Sequence, residues 1–375
     1  MHVTGRVEFS AMGVVRPPAG AAIETARRRE TQGFDAVWWA DHFLHWFPNG
    51  IWTPDLVPQA SSQPSPHVWF DPVPIIAAAA TATQLISLGT GVTDVVRRHP
   101  ASVAQTALTL DHISNGRFLL GIGTGEALNL EPYGLANTRP MARLEEALAI
   151  IRHFISSQEP LDHAGDFFTL RGAQIGLPPL NGTPPPIWMA AHRPRGLALA
   201  GRMADGWLPL ATEPAQYAQM LAVVREGAQG AGRPERSIQP GLYARIVVAA
   251  TRERAEEIVD ASLLMRFIAL TRPAEAFARH GHEHPLGSGA FGLTTFLPNR
   301  YSRAEALALA EAVPAAVVRE SVILGTPDDI AARIREFIAV GARHIQLTNM
   351  TPMASPRDGA ASEELLGAVV HELRR

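Results

Sequence analysis

Asp41 and His42 close the run Ala36-Val37-Trp38-Trp39-Ala40-Asp41-His42-Phe43-Leu44-His45-Trp46. An acid and an imidazole at the end of an apolar β-type run are groups that move protons near neutral pH. The same pair also reads as an aspartate capping a turn beside a hydrogen-bonded buried histidine. A second cluster is Gly121-Ile122-Gly123-Thr124-Gly125-Glu126-Ala127-Leu128-Asn129. Its glycines are too closely spaced for a dinucleotide fingerprint, and no strand-ending acid follows at the required distance. What remains is Glu126 and Asn129 on a glycine-rich loop. In Leu88-Gly89-Thr90-Gly91-Val92-Thr93-Asp94 the two glycines allow either a bulge against a flat ligand or simple close packing. Ala190-Ala191-His192-Arg193-Pro194-Arg195-Gly196 precedes a helical run, where backbone amides and arginines would suit a phosphate or form a solvated turn. His280-Gly281-His282-Glu283-His284 alternates histidines as zinc ligation would require, but lacks an accompanying carboxylate pattern and reads as a polar loop. No metal is expected.

Composition removes whole classes of chemistry. The 375 residues include no cysteine, and all 33 basic residues are arginine. Thiolate nucleophiles, disulfides, Schiff-base lysines and the phosphate-loop lysine are therefore excluded. The net charge of -3, with acids and bases intermixed, leaves no footprint for nucleic acid. The longest apolar stretch, Ile75 to Ala80, is too short to span a bilayer. MHVTGRVEFS has no charged-then-apolar leader, so the expectation is a cytoplasmic protein acting on a small molecule.

These residues need a scaffold, and the apolar runs supply one. Eight candidate strands are legible: Arg6 to Ala11, Ala36 to Trp39, Ile86 to Val92, Phe118 to Gly123, Ile187 to Ala191, Gly206 to Leu210, Leu242 to Ala249 and His344 to Thr348. Several lack in/out alternation, as parallel strands covered on both faces do. Helical stretches lie between them: Ala21 to Gln32 ends at Gly33, Arg143 to Phe154 is amphipathic, and Thr326-Pro327-Asp328-Asp329 opens a capped helix. The expected fold is an α/β (β/α)8 TIM barrel over residues 1–375 as one domain. Insertions at about 47–74 and 263–322 fall where a barrel builds the walls of its site.

Asp41-His42 with Trp46, the stretch Arg97-Arg98-His99-Pro100 to Gly116-Arg117, and Gly121 to Asn129 together resemble the luciferase-like monooxygenase superfamily. That family implies a TIM barrel binding FMN or the deazaflavin coenzyme F420. Ala40 to Trp46 and Gly121 to Asn129 look like the deazaflavin-dependent sugar-phosphate dehydrogenases. Val92 to Arg98, Ala190 to Arg195 and Ala278 to Gly287 are closer to mycobacterial phthiodiolone ketoreductases. The resemblance implies catalytic roles for His42, Glu126 and Trp46. It implies cofactor contacts from Asp41, Gly91, Val92, Thr93, Asn129, Ala190, Ala191, His192 and Arg193, with a non-prolyl cis peptide at Gly91-Val92. The absence of lysine and a serine, Ser321, near the relatives' phosphate-binding arginine demote a sugar phosphate. Asp94 replaces a ring-side threonine. The expected activity is hydride transfer between coenzyme F420 and an apolar ketone or secondary alcohol, in a homodimer. The alternatives are an FMN-dependent monooxygenase, a deazaflavin-dependent sugar-phosphate dehydrogenase and a non-catalytic cofactor binder.

Overall fold

The computed structural model describes residues 6–211 and 213–375; the first residues of the leader reading lie outside them. Twelve strands are present: β1 (Glu8–Met12), β2 (Ala36–Trp39), β3 (Ser87–Thr90), β4 (Thr93–Asp94), β5 (Phe118–Gly123), β6 (Leu161–Ala164), β7 (Thr169–Ala173), β8 (Ile187–Met189), β9 (Gly206–Trp207), β10 (Gln239–Val248), β11 (Ile323–Gly325) and β12 (His344–Asn349). Parallel pairing runs β1, β2, β3, β5, β8, β9, β10, β12 and returns to β1, which closes an eight-stranded barrel. Each expected strand is there. The register brings Ser10 beside both Ala36 and Gln346.

Three features depart from the sequence reading. The third run breaks at Gly91-Val92, whose peptide is cis, and β4 continues the pairing with β5. An antiparallel hairpin, β6–β7, was not expected, because its residues are half-buried or exposed and carry no apolar run. The three-residue β11, which adds to the end of β10, is too short to leave a pattern.

The barrel interior explains two glycines. Trp38, Trp188, Leu119 and Leu208 fill it, with the two indoles edge to face at 5.4 Å. A Cβ on Gly89 would lie 2.6 Å from the Trp38 ring, and one on Gly121 would lie 1.9 Å from the Thr90 carbonyl oxygen. Both positions therefore need glycine for packing alone. Beneath the indoles, Trp38 Nε1 donates to His344 Nε2, whose Nδ1 faces Glu8 at 3.0 Å.

Outside the barrel, the helix Pro327–Ala339 carries the anticipated cap, with Thr326 and Asp329 forming a reciprocal box. The helix Ala19–Thr31 is stopped by Gly33 at φ 80°. The two insertions pack on each other: Phe47, Ile51 and Val57 share one apolar cluster with Met265, Phe267, Ile268, Leu270, Phe277 and Phe296. They roof the end of the barrel from which the β2 and β5 loops emerge. Among the described residues, no helix is long and apolar enough to cross a membrane.

Candidate active site

Under this roof lies a cavity of about 580 Å³, within the size range of cofactor and substrate pockets. Asp41, His42, Trp46, Gly91, Val92, Thr93, Glu126, Asn129, Ala190 and His192 all line it. Sequence positions far apart are thus gathered at the C-terminal ends of β2, β4, β5 and β8, where a barrel keeps its chemistry.

At the centre stands Asn129, on the short helix Ala127–Leu130. Its Oδ1 accepts from the backbone N–H of Phe43 at 2.8 Å and of Leu44 at 3.2 Å. Two backbone donors can be met only by the amide oxygen, so Nδ2 must point the other way. There it donates to His42 Nδ1 at 2.9 Å. His42 Nδ1 is therefore an acceptor, and the ring proton sits on Nε2. His42 borders the cavity, and this N–H is the donor it can present there. Trp69 stacks on the imidazole at 4.9 Å and Trp46 meets it edge-on at 5.4 Å.

Glu126 Oε2 lies 3.6 Å from His42 Nδ1 and 3.4 Å from Asn129 Nδ2. Burial dominates both titrations, in opposite directions. Desolvation, aided by the Arg97 cation, lowers His42 to about 4. Desolvation raises Glu126 to about 8, against the opposing fields of Arg245 and Arg97. At neutral pH the site holds a neutral imidazole and a protonated carboxylic acid. The sequence placed His42 in its ordinary titration range; the aromatic enclosure removes it from that range.

Asp41 is bound on every side. Its Oδ2 accepts from Thr93 Oγ1 at 2.7 Å and from Arg98 Nε at 3.3 Å, and its Oδ1 pairs with Arg97 Nη1 at 3.0 Å. Arg97 also bonds the Asp41 carbonyl and pairs with Asp94 at 2.5 Å. This network ties the β2 end to the rim of Gly91, Val92 and Thr93. Asp94 serves as the second carboxylate of that clamp.

The β8 loop divides. Ala190 and His192 line the cavity, and His192 Nε2 accepts from the Leu210 backbone at 2.8 Å. Burial, with Arg272 and Arg193 nearby, lowers His192 to about 4. Ala191 is buried among the core residues, and Arg193 turns outward to Glu275 at 3.1 Å. The helix Pro194–Met203 starts here without a side-chain cap, leaving its first amides available to an anion. In the 280–284 loop, His280 bonds Glu320 and His284 bonds the Leu270 and Arg272 carbonyls. Among the described residues no cluster suits a metal.

The model of the family described as luciferase-like monooxygenase matches residues 2–344. The chain belongs to this family. Among curated relatives, this luciferase-like chain is similar to the phthiodiolone/phenolphthiodiolone dimycocerosates ketoreductase of Mycobacterium bovis (strain BCG / Pasteur 1173P2), with 37% identity over 89% of this chain and 88% of the relative. Two solved structures share its fold. One is a coenzyme F420-dependent tetrahydromethanopterin reductase from Methanopyrus kandleri, at TM-score 0.74 and 22% identity over 96% of this chain and 97% of the other. The other is an F420-dependent secondary alcohol dehydrogenase in complex with an F420-acetone adduct, at 0.76 and 23%, covering 99% and 100%.

In the luciferase-like site, sequence reasoning missed Arg97 and Arg245. Arg97 lay inside a stretch quoted only for its family likeness. Arg245 interrupts the apolar run Leu242 to Ala249 and lines the cavity; a lone arginine in a covered strand was the available signal.

Proposed function

We propose that this protein transfers hydride between coenzyme F420 and a ketone or secondary alcohol, with His42 orienting the carbonyl and Glu126 supplying the proton. The observation that carries the reading is the fixed tautomer of His42 beside a protonated Glu126. The cavity suits the cofactor: Gly91, Val92 and Thr93 form one wall of it, and the nearby helix Pro194–Met203 starts without a side-chain cap. Asn129, Ala190 and His192 would also face the cofactor. When bound, the deazaflavin supplies a hydride from its C5.

The chain's own residues do the rest. His42 Nε2–H hydrogen-bonds the substrate carbonyl oxygen and orients it. As negative charge gathers on that oxygen, the protonated carboxyl of Glu126, which also lines the cavity, supplies the proton. His42 keeps its tautomer, with Nδ1 accepting from Asn129, and the carboxylate left on Glu126 lies in the fields of Arg245 and Arg97. Trp46 and Trp69 keep water from the reacting pair. Alcohol oxidation is the reverse. A ketone as substrate is supported by the ketoreductase at 37% identity.

The test is a paired titration of the apoprotein with F420 and with FMN, followed by fluorescence, and then a screen of ketones with the reduced deazaflavin. Selective F420 binding with carbonyl reduction is the expected outcome. Selective FMN binding would overturn the proposal and redirect the search to oxygen-dependent chemistry.

A further inference from the structure

Three arginines are buried among the described residues: Arg29, Arg245 and Arg272. Arg29 pairs with Glu363 and Arg272 with Glu320. Arg245 has no carboxylate partner. Its Nη1 donates to Thr271 Oγ1 at 2.9 Å, and its guanidinium lies 5.6 Å from the Trp46 ring and 6.0 Å from the Tyr243 ring. Nε and Nη2 have no hydrogen-bond partner among the described residues, yet neither is sealed in the packing, because Arg245 borders open space.

Arg245 meets Glu126 only from beyond ion-pair distance, and a buried cation without a paired carboxylate is costly, so its retention points to a ligand that completes it. The neighbouring polar cavity of about 540 Å³ sharpens the contrast. There Arg252 pairs with Asp329, Arg319 with Asp260 and Arg333 with Glu213. Arg245, on the boundary of both cavities, lacks such a partner.

The free donors also have a defined shape. Nε and Nη2 share one edge of the guanidinium plane, a fork matched to the two oxygens of a carboxylate. The same chain uses that edge elsewhere: Arg254 presents Nε and Nη2 to Asp358, and Arg319 presents them to Asp260. Arg245 borders the active-site cavity beside Trp46, whose ring also contacts His42.

We propose that Arg245 binds a carboxylate carried by the substrate, so that the preferred substrates are oxo acids, or the matching hydroxy acids, with an apolar spacer along Trp46. The carbonyl meets His42 and the carboxylate meets Arg245. This rests on the hydride-transfer reading for the carbonyl end alone.

The experiment compares 4-oxopentanoate and 6-oxoheptanoate with their methyl esters, using reduced F420 and the wild-type, Arg245→Leu and Arg245→Lys proteins. Alongside, calorimetry measures binding of heptanoate, which has no carbonyl, to the F420-loaded proteins, and F420 affinity is titrated separately. The expected result is a wild-type kcat/KM for one acid roughly ten- to a hundredfold above its ester, the range of a charged hydrogen-bonded pair. Arg245→Leu removes that preference, Arg245→Lys keeps part of it, and F420 affinity is unchanged in both. Arg245→Leu should melt no lower than wild type, since no buried carboxylate is orphaned. Equal use of acid and ester by the wild type would overturn the proposal. So would an Arg245→Leu defect in F420 binding with heptanoate binding intact, since the donors would then belong to the cofactor. If no ketone is reduced, Arg245-dependent heptanoate binding still upholds the carboxylate site while the hydride-transfer reading fails; absence of that binding overturns the site.

Discussion

Replacing Glu126 by glutamine keeps the side chain's size and removes its titration, which isolates one electrostatic quantity. In the unfolded chain this carboxyl ionises near 4.5; in the fold burial raises it to about 8. Between those values the folded state holds a proton that the unfolded state has lost, so wild-type stability falls as pH rises through the window. At about 1.4 kcal/mol per pH unit the full effect approaches 5 kcal/mol. The side chain keeps 23% of its surface open to the cavity, and solvent screening there reduces the expected value to roughly 2–3 kcal/mol. Glu126→Gln should therefore gain that much stability over wild type between pH 5 and pH 8.5. His42 titrates in both proteins and largely cancels from the difference. Urea denaturation of the apoproteins at constant ionic strength across this range measures it. Parallel stability curves would show that Glu126 is ionised in the folded protein at neutral pH, and the reaction would lose its proton source.

Three further outcomes follow from the same geometry. His42→Ala should lower turnover by roughly 10²–10⁴-fold while F420 affinity measured by titration stays nearly constant; unchanged turnover would remove the imidazole from the reaction. Asn129→Asp places an acceptor against His42 Nδ1, so the imidazole should bind its proton more tightly, and the acid limb of kcat/KM against pH should move upward from near 4; an unmoved limb would refute the tautomer argument. Arg97→Gln leaves Asp94 without a cation and Asp41 with Arg98 alone, and should cost about 3–5 kcal/mol in chemical denaturation, whereas a loss below 1 kcal/mol would mean that the clamp adds little.

The barrel was legible because its strands are covered on both faces: Ala36 to Trp39 and Phe118 to Gly123 are buried at every position, which leaves continuous apolar runs. Segments whose order depends on partners elsewhere were not legible. The β6–β7 hairpin alternates half-buried and exposed residues, and β11 exists only as an addition to β10. In the site, adjacency in sequence revealed Asp41-His42 and Glu126 to Asn129, but not their roles. The fixed proton on His42 depends on two backbone amides from the β2 loop reaching Asn129, a contact across 85 residues or more. Asp41 shows the complementary limit: a cofactor contact follows from the family likeness, yet both its oxygens already hold Thr93, Arg97 and Arg98.

The shared apolar cluster of the two insertions has a consequence for exchange between relatives. Phe47, Ile51 and Val57 have their partners some two hundred residues downstream, in Met265, Phe267 and Phe296. Grafting either segment alone from another enzyme would leave one half of that interface bare to water and the other mismatched. A chimera that keeps its solubility must carry both segments together, so the ceiling of the site is inherited as a pair while the barrel beneath it can be kept.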